Sequence, residues 1–324
     1  MQTRRQLLTS AAALVAAGPA MPAFAQSWPQ RPVKVVVAFA PGGNSDSIAR
    51  IACQRLGDAF GQTFVIENRP GAGGALGAEA VARSAPDGYT LFSAATPQIA
   101  ITPALQKVPY DPIKDFAPIS NVGSNPFVLS VNAKLPIKSV ADFIAYVRAR
   151  PGGQVTFGSG GVGTLNHLSM TMFAKLAGID ITHVPYKGGG PAMADLVAGH
   201  IQAMFANLSD ALGQAGAGTI RLLAVSSEKR ARQLPDVPTV IEQGFPTFKT
   251  TTWNGLMGPA GMPKDIVARV AAEVARASKE PKYIERMTQI GVDAIGDTPE
   301  EFAATIAADV VFWGEAVKAA GLGR

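Results

Sequence analysis

Short runs of β-branched and apolar residues that stop at glycine or proline and restart as helical stretches recur along this chain. That alternation restricts it to an α/β architecture with a largely parallel sheet. Val33–Ala40 (VKVVVAFA) reads as a buried strand, Pro41-Gly42-Gly43-Asn44 as a turn, and a helix is expected from about Ser45 to Phe60 with Gly61 as its stop. Thr63–Glu67 and Tyr89–Ala94 read as the next strands, with a helix over Leu76–Ser84 between them. A proline-rich connection (Pro103, Pro109, Pro112, Pro118) leads to a strand at Phe127–Val131 and a helix at Ser139–Arg150 capped by Ser139. The alternation then continues through Val155–Gly158, Thr164–Ala177, Ile181–Val184, Pro191–Ala198, Ile201–Phe205 and Ile220–Ser226. Beyond Thr250 the pattern turns helical: Ile266, Val267, Val270, Ala271 and Val274 form one apolar face, and Phe302, Ile306, Val310, Trp313 and Val317 another. Having no sheet of their own, these helices are expected to return to the first half. The predicted units are residues 26–125 with 250–324, and residues 126–249.

Residues 1–25 read as an export leader rather than as part of the fold. Thr3-Arg4-Arg5-Gln6-Leu7-Leu8 is a twin-arginine-like start, an apolar stretch follows, and Ala23-Phe24-Ala25 is an A-x-A site with cleavage expected after Ala25. Gln26, not a cysteine, stands directly after that site, so lipid attachment is not expected, and no later stretch has membrane length.

Composition narrows the function. With 47% hydrophobic residues among 324 and a net charge of +5, disorder is excluded. Cys53 has no second cysteine, which rules out a disulfide scaffold. Two of the positive charges, Arg4 and Arg5, leave with the leader, and no basic cluster remains for nucleic acid.

The informative positions are the carboxyl ends of the predicted strands, where open α/β sheets bind ligands. They carry Pro41-Gly42-Gly43-Asn44-Ser45-Asp46, then Ala95-Thr96-Pro97-Gln98, Gly158-Ser159-Gly160-Gly161-Val162-Gly163-Thr164, Tyr186-Lys187-Gly188-Gly189-Gly190 and Asn207-Leu208-Ser209-Asp210. Singly, each can be no more than a turn or a helix cap. Together they offer backbone N–H groups at helix starts, which hold a carboxylate or phosphate without a cationic side chain.

Enzyme chemistry finds little support. Gly158–Gly163 fits G-x-G-x-x-G, but the acidic residue at the expected distance, Asp180, precedes its strand instead of ending it. Ser159 lacks the glycine two residues before it that a nucleophile elbow requires, and no Walker-type loop occurs. His167, His183 and His200 have no metal-ligand spacing and read as structural, although His167 lies in the first turn after the glycine loop. No catalytic residue, metal or cofactor is expected.

Several longer blocks carry a family resemblance. They are Phe39-Ala40-Pro41-Gly42-Gly43 with Asp46, Glu67-Asn68-Arg69-Pro70-Gly71-Ala72-Gly73-Gly74, Ala85-Pro86-Asp87-Gly88-Tyr89-Thr90-Leu91 and Leu234-Pro235-Asp236-Val237-Pro238-Thr239, of which the second and third are specific. Over residues 28–324 the chain resembles the solute-binding proteins of tripartite tricarboxylate transporters, the Bug family. The resemblance implies a two-lobed, type II-like periplasmic binding protein, each lobe a mostly parallel sheet flanked by helices. It also implies a monomer that captures a small carboxylated solute between its lobes and delivers it to a two-protein membrane permease. A sensor presenting the solute to a membrane signalling protein is the alternative.

Under this reading Pro41, Gly42, Gly43, Asn44, Ser45 and Asp46 face Ser159, Gly160, Gly161, Gly163, Thr164 and His167 across the ligand. Thr96, Tyr186 and Asn207 shape the remainder of the site. Two departures from the family pattern, Asn44 in place of glycine and Ala206 in place of an acid, are expected to alter ligand choice.

Overall fold

The computed structural model describes residues 28–150 and 152–323. The expected leader, its cleavage site and Arg324 lie outside the described residues. The first strand, β1 (Val33–Val37), buries Val33, Val35, Val36 and Val37 on both of its faces, which is why it reads as a continuous apolar run. Helix α1 (Asn44–Phe60) follows and ends at Gly61, whose left-handed φ of 65° lets its N–H close on the Gly57 carbonyl. Then come β2 (Phe64–Asn68), α2 (Ala75–Ala82) and β3 (Thr90–Ala95), with β1 pairing in parallel with both strands. A π-helical turn over Pro97–Ile101 runs into the short α3 (Thr102–Leu105).

The next strand, β4 (Phe116–Asn132), is far longer than the sequence suggests. Its first part overlaps the stretch read as a proline-rich connection. Ser120, Asn121, Gly123, Ser124 and Asn125 have little intrinsic preference for extended structure. Pairing with a second long strand, β9 (Thr251–Pro259), imposes it, and register shifts after Pro118 and Asn121 absorb the irregularity. This second strand corrects the expectation that the chain is helical beyond Thr250.

From Phe127 onward β4 changes partners, pairing antiparallel with β7 (Ala203–Asn207) on one side and β8 (Ile220–Val225) on the other. Parallel pairs join β7 to β5 (Thr156–Ser159) and β5 to β6 (Thr182–Pro185). The path β2-β1-β3-β9-β4-β7-β5-β6 is therefore continuous, with β8 and the short β10 (Asp293–Ala294) also on β4. Each half is a set of parallel strands with a crossing strand inserted against them. Helices α4 (Val140–Arg148), α5 (Leu165–Ala177), α6 (Gly189–Ala198) and α7 (Leu208–Gly216) belong to the second half, and Ser139 caps α4 as expected by accepting from the Asp142 N–H.

Three helices end the chain: α8 (Lys264–Ala277), α9 (Pro281–Gln289) and α10 (Pro299–Ala319). Ile266, Val270, Ala271 and Val274 of α8 pack into the first-half core with Val33, Ile48, Leu56 and Leu91. Arg55 of α1 ties this layer down through Glu273 and Glu280, each at 2.6 Å. Helix α10 does not stay on the first half. Phe302 and Ile306 join Val36, Phe92 and Trp253, whereas Trp313 and Val317 join a cluster with Phe143, Leu168 and Phe205.

Where the chain recrosses, Ser226 is fully buried. Its N–H donates to the Phe127 carbonyl at 2.9 Å, its Oγ accepts from the Phe127 N–H at 2.9 Å, and the same hydroxyl donates to the Thr250 carbonyl. Ser226→Ala leaves a buried N–H and a buried carbonyl each short of that partner. The expected loss is about 1–3 kcal/mol of stability, measured by urea or thermal unfolding. An unchanged midpoint would mean that the hydroxyl is dispensable at this crossing.

Candidate functional site

A cleft of about 800 Å³ lies where the strands of both halves end. The first half contributes Phe39–Ser45, Ile101 and Leu105; the second contributes Val162–Asn166, Gly188, Gly189 and Asn207. The crossing strands add Asn125, Phe127, Thr252 and Asn254. Among the described residues that line it, none carries an ionisable side chain. Polarity comes instead from amides (Asn44, Asn125, Asn166, Asn207, Asn254), a few hydroxyls and the backbone.

Helix starts provide the electrostatics. Residues at the N-termini of α1, α5, α6 and α7 all line the cleft, and none of these helices receives a cap hydrogen bond from its N-cap side chain. The first N–H groups of a helix have no partner within it, and the aligned peptide dipoles leave a partial positive charge there. Four such ends in one neutral cleft make a site for an anion.

The loop of the first half is held by Asp46. Its carboxylate accepts from the Gly42 N–H at 3.0 Å, from Asn68 Nδ2 at 2.9 Å and from Arg50 at 2.7 and 3.1 Å. Burial by itself would raise its pKa; the hydrogen bonds from Arg50, Gly42 and Asn68 outweigh this and hold the group below the ordinary aspartate range. Gly42 sits at φ 84°, a conformation natural to glycine, so the latch fixes a backbone shape that few side chains permit. Because Arg50 neutralises Asp46, a fixed negative charge does not compete with a bound anion.

A layer of stacked rings supports the facing loop. The rings of His167 and His183 lie 3.8 Å apart, and Phe157 stacks on His183 at 4.9 Å. Nδ1 of His167 accepts from the Gly163 N–H at 3.1 Å, which places this ring's proton on Nε2. Nε2 of His183 shares a 2.6 Å hydrogen bond with Ser159 Oγ, which also accepts from the Gly161 N–H and contacts the Gly161 carbonyl. Ser159 is fully buried, so its hydroxyl serves the loop. Gly163, at φ 76°, passes so close to α3 that a Cβ would lie 2.5 Å from Leu105 Cδ1.

Of the residues expected from sequence, Pro41, Gly42, Gly43, Asn44, Ser45, Gly163, Thr164 and Asn207 line the cleft. Asp46, Ser159, Gly160, Gly161 and His167 are not part of its lining; Asp46, Ser159 and His167 instead brace the two loops through their hydrogen bonds to Gly42, Gly161 and Gly163. Thr96 is buried, its Oγ1 accepting from the Trp253 N–H at 3.1 Å, and Tyr186 donates its hydroxyl to Asp195 at 2.7 Å. Ala206 packs among Val128, Leu196 and Leu208 instead of facing the cleft, so an acid missing there does not alter the lining. Sequence reasoning missed Asn125, Asn166, Thr252 and Asn254. Only Asn166, three residues after Gly163 in the first turn of a recognised helix, carried a usable signal.

Comparison with known proteins gives concordant matches. Residues 48–322 match the model of the tripartite tricarboxylate transporter family receptor, TctC. Protein BugT of Bordetella pertussis is 35% identical over 323 residues, covering 99% of each chain. A Rhodopseudomonas palustris protein solved with adipate is 35% identical with a TM-score of 0.82, covering 92% of this chain and 99% of its own. MatC from the same genus and species, solved with bound malate, is 33% identical with a TM-score of 0.76, covering 90% of this chain and 100% of its own.

The imidazole stack has a consequence for stability. Burial, with the neighbouring His167, pulls the pKa of His183 down to about 4, and burial lowers that of His167. Below the ordinary histidine value of about 6.5 the unfolded chain takes up protons that the folded stack refuses. Stability contributed by His183 is therefore complete above about pH 6.5 and drains away as pH falls toward 4. Asp46 acts in a separate, more acidic window, its contribution being lost only as pH falls through and below the aspartate range. Thermal midpoints measured from pH 7 to pH 4 at fixed ionic strength should decline less steeply in His183→Gln than in the wild type; parallel lines would remove this role.

Proposed function

The chain belongs to the tripartite tricarboxylate transporter receptor family, and from that premise we propose that it is a periplasmic receptor for a small carboxylated solute. One observation carries the reading: four helix N-termini meet in a cleft whose described lining has no ionisable side chain. A carboxylate placed between Gly43–Ser45 and Leu165–Asn166 meets unpaired backbone donors from both sides. No bond is made or broken, and the chemistry is reversible capture.

Capture couples to closure. We take residues 26–125 with 250–324 as one lobe and 126–249 as the other. The chain crosses between them where β4 changes partners after Pro126 and again between Ser226 and Thr250. A ligand that touches loops of both lobes binds the closed arrangement more tightly than the open one and shifts the population toward it. The closed form is then the species offered to a two-protein membrane permease. Export through the leader, with cleavage after Ala25, places the receptor where such a permease collects its solute.

Adipate and malate, bound by the two related proteins, set the starting panel: four- to six-carbon dicarboxylates and hydroxy acids. A true ligand at a hundred times its Kd adds about 2.7 kcal/mol of stability and raises the thermal midpoint. Its affinity should change only mildly as salt rises, because short-range backbone donors inside a cleft are poorly screened. A flat response across the whole acid panel would refute carboxylate capture. An affinity that collapses with salt would point to a cationic pocket instead.

A further inference from the structure

Outside the cleft the two halves meet at a corner that solute capture leaves unused. Leu234-Pro235-Asp236-Val237-Pro238-Thr239, one of the blocks that carry the family resemblance, fastens its segment to the second half. Leu234 and Val237 pack on the core of Ala231, Leu196 and Leu208. Thr239 and Glu242 cap each other, the Thr239 N–H donating to Glu242 Oε2 at 2.8 Å and the Glu242 N–H to Thr239 Oγ1 at 3.0 Å. Anchored between Ala231 and Leu234, the side chains of Arg232 and Gln233 reach the first half.

The first-half side of this corner is the end of α9. There the Thr288 carbonyl accepts from the Gly291 N–H at 3.0 Å and, across the boundary, from Gln233 Nε2 at 3.3 Å. Gly291 stands at φ 72°, and a Cβ on it would lie 2.9 Å from the backbone nitrogen of Ser209. Ser209 is in the first turn of α7, two residues after Asn207, which lines the cleft. Met287 and Val292 flank the corner and are fully buried in the first-half core, so the corner belongs to that half. Arg232 approaches Asp293 of β10 at 4.0 Å.

The ion pair contributes little, because it is wide and the Arg232 side chain is 71% exposed. The amide is different. Gln233 Oε1 is buried without a partner, so the hydrogen bond to Thr288 is what compensates the burial of this side chain. Gly291 likewise permits an approach between backbones of the two halves that a side chain would obstruct. Both contacts hold the arrangement in which loops of the two halves line one cleft and Leu105 packs against Gly163. Yet none of Gln233, Thr288, Gly291 and Ser209 lines that cleft.

We propose that Gln233 and Gly291 are positioning residues that hold the closed, solute-bearing arrangement from outside the cleft, so that part of the affinity is set by contacts the solute never makes. The assignment rests on the receptor reading and on closure of its two lobes. A contact made in the closed form alone raises the population of that form, and its loss weakens every solute by the same factor.

The test is calorimetric titration of the mature protein with succinate, malate and adipate, with dissociation rates from stopped flow. Gln233→Leu keeps the bulk and removes the donor. It should weaken each acid that binds by about two- to tenfold, by the same factor for all, through faster dissociation. The thermal midpoint of the solute-free variant should stay at the wild-type value, because the open form lacks the contact. Gln233→Lys, which keeps a side-chain donor, should recover most of the affinity, and Gly291→Ala should weaken binding as uniformly as Gln233→Leu. Should Gly291→Ala fail to fold, Gln233→Leu carries the test alone. The assignment is overturned if Gln233→Leu binds as the wild type does or more tightly, if the factor differs from acid to acid, or if the solute-free variant is itself destabilised. Failure of the wild type to bind any acid overturns the receptor reading itself.

Discussion

Everything in the cleft depends on peptide N–H groups that their own helices cannot satisfy. Parallel strands that stop at one edge of a sheet hand the chain to helices that start there, so each strand–helix junction delivers unpaired donors to the same space. Such donors are useful only if the loops carrying them keep one shape. In the first half Asp46 fastens the loop by binding Gly42, while Arg50 and Asn68 hold Asp46 in place. In the second, a neutral histidine stack and Ser159 do the equivalent work for Gly161 and Gly163. The ionisable groups that hold these two loops are therefore engaged in fixing the backbone and leave the anion to the amides.

How much of this was legible depended on whether local sequence decided the conformation. Val33–Val37 and the Gly61 stop of α1 are local, since a β-branched run and a left-handed glycine allow few alternatives. The same holds for the loops at Gly42–Ser45 and Gly163–Thr164, whose glycines announce themselves. The crossing strands are different. Ser120, Asn121, Gly123 and Asn125 are extended because β9 lies alongside them, and Thr251–Pro259 is extended because β3 and β4 lie on either side. Partners so distant in sequence leave no periodic trace, so Asn125 and Asn254 stayed invisible along with the strands that carry them. Asp46 and His167 were recognised as residues of the site, but whether a polar side chain faces a ligand or braces the loop that does is settled by contacts that no spacing reveals.

The last helix adds a constraint on how the halves can move. Its N-terminal part packs with the first half through Phe302 and Ile306, and its C-terminal part joins the cluster of Phe143, Leu168 and Phe205 through Trp313 and Val317. Between them Asp309 accepts from Trp253 Nε1 at 2.7 Å, and burial raises the pKa of that carboxyl although the indole hydrogen bond partly opposes the shift. Trp253 lies on β9 between Thr252 and Asn254, so the side chain that ties this strand to α10 alternates with those that line the cleft. One face of the crossing strand is thus clamped to a helix shared by both cores, and the other is offered to the ligand. Because the two ends of α10 belong to different cores, displacement of one half relative to the other must either carry the helix with one core or repack its far end.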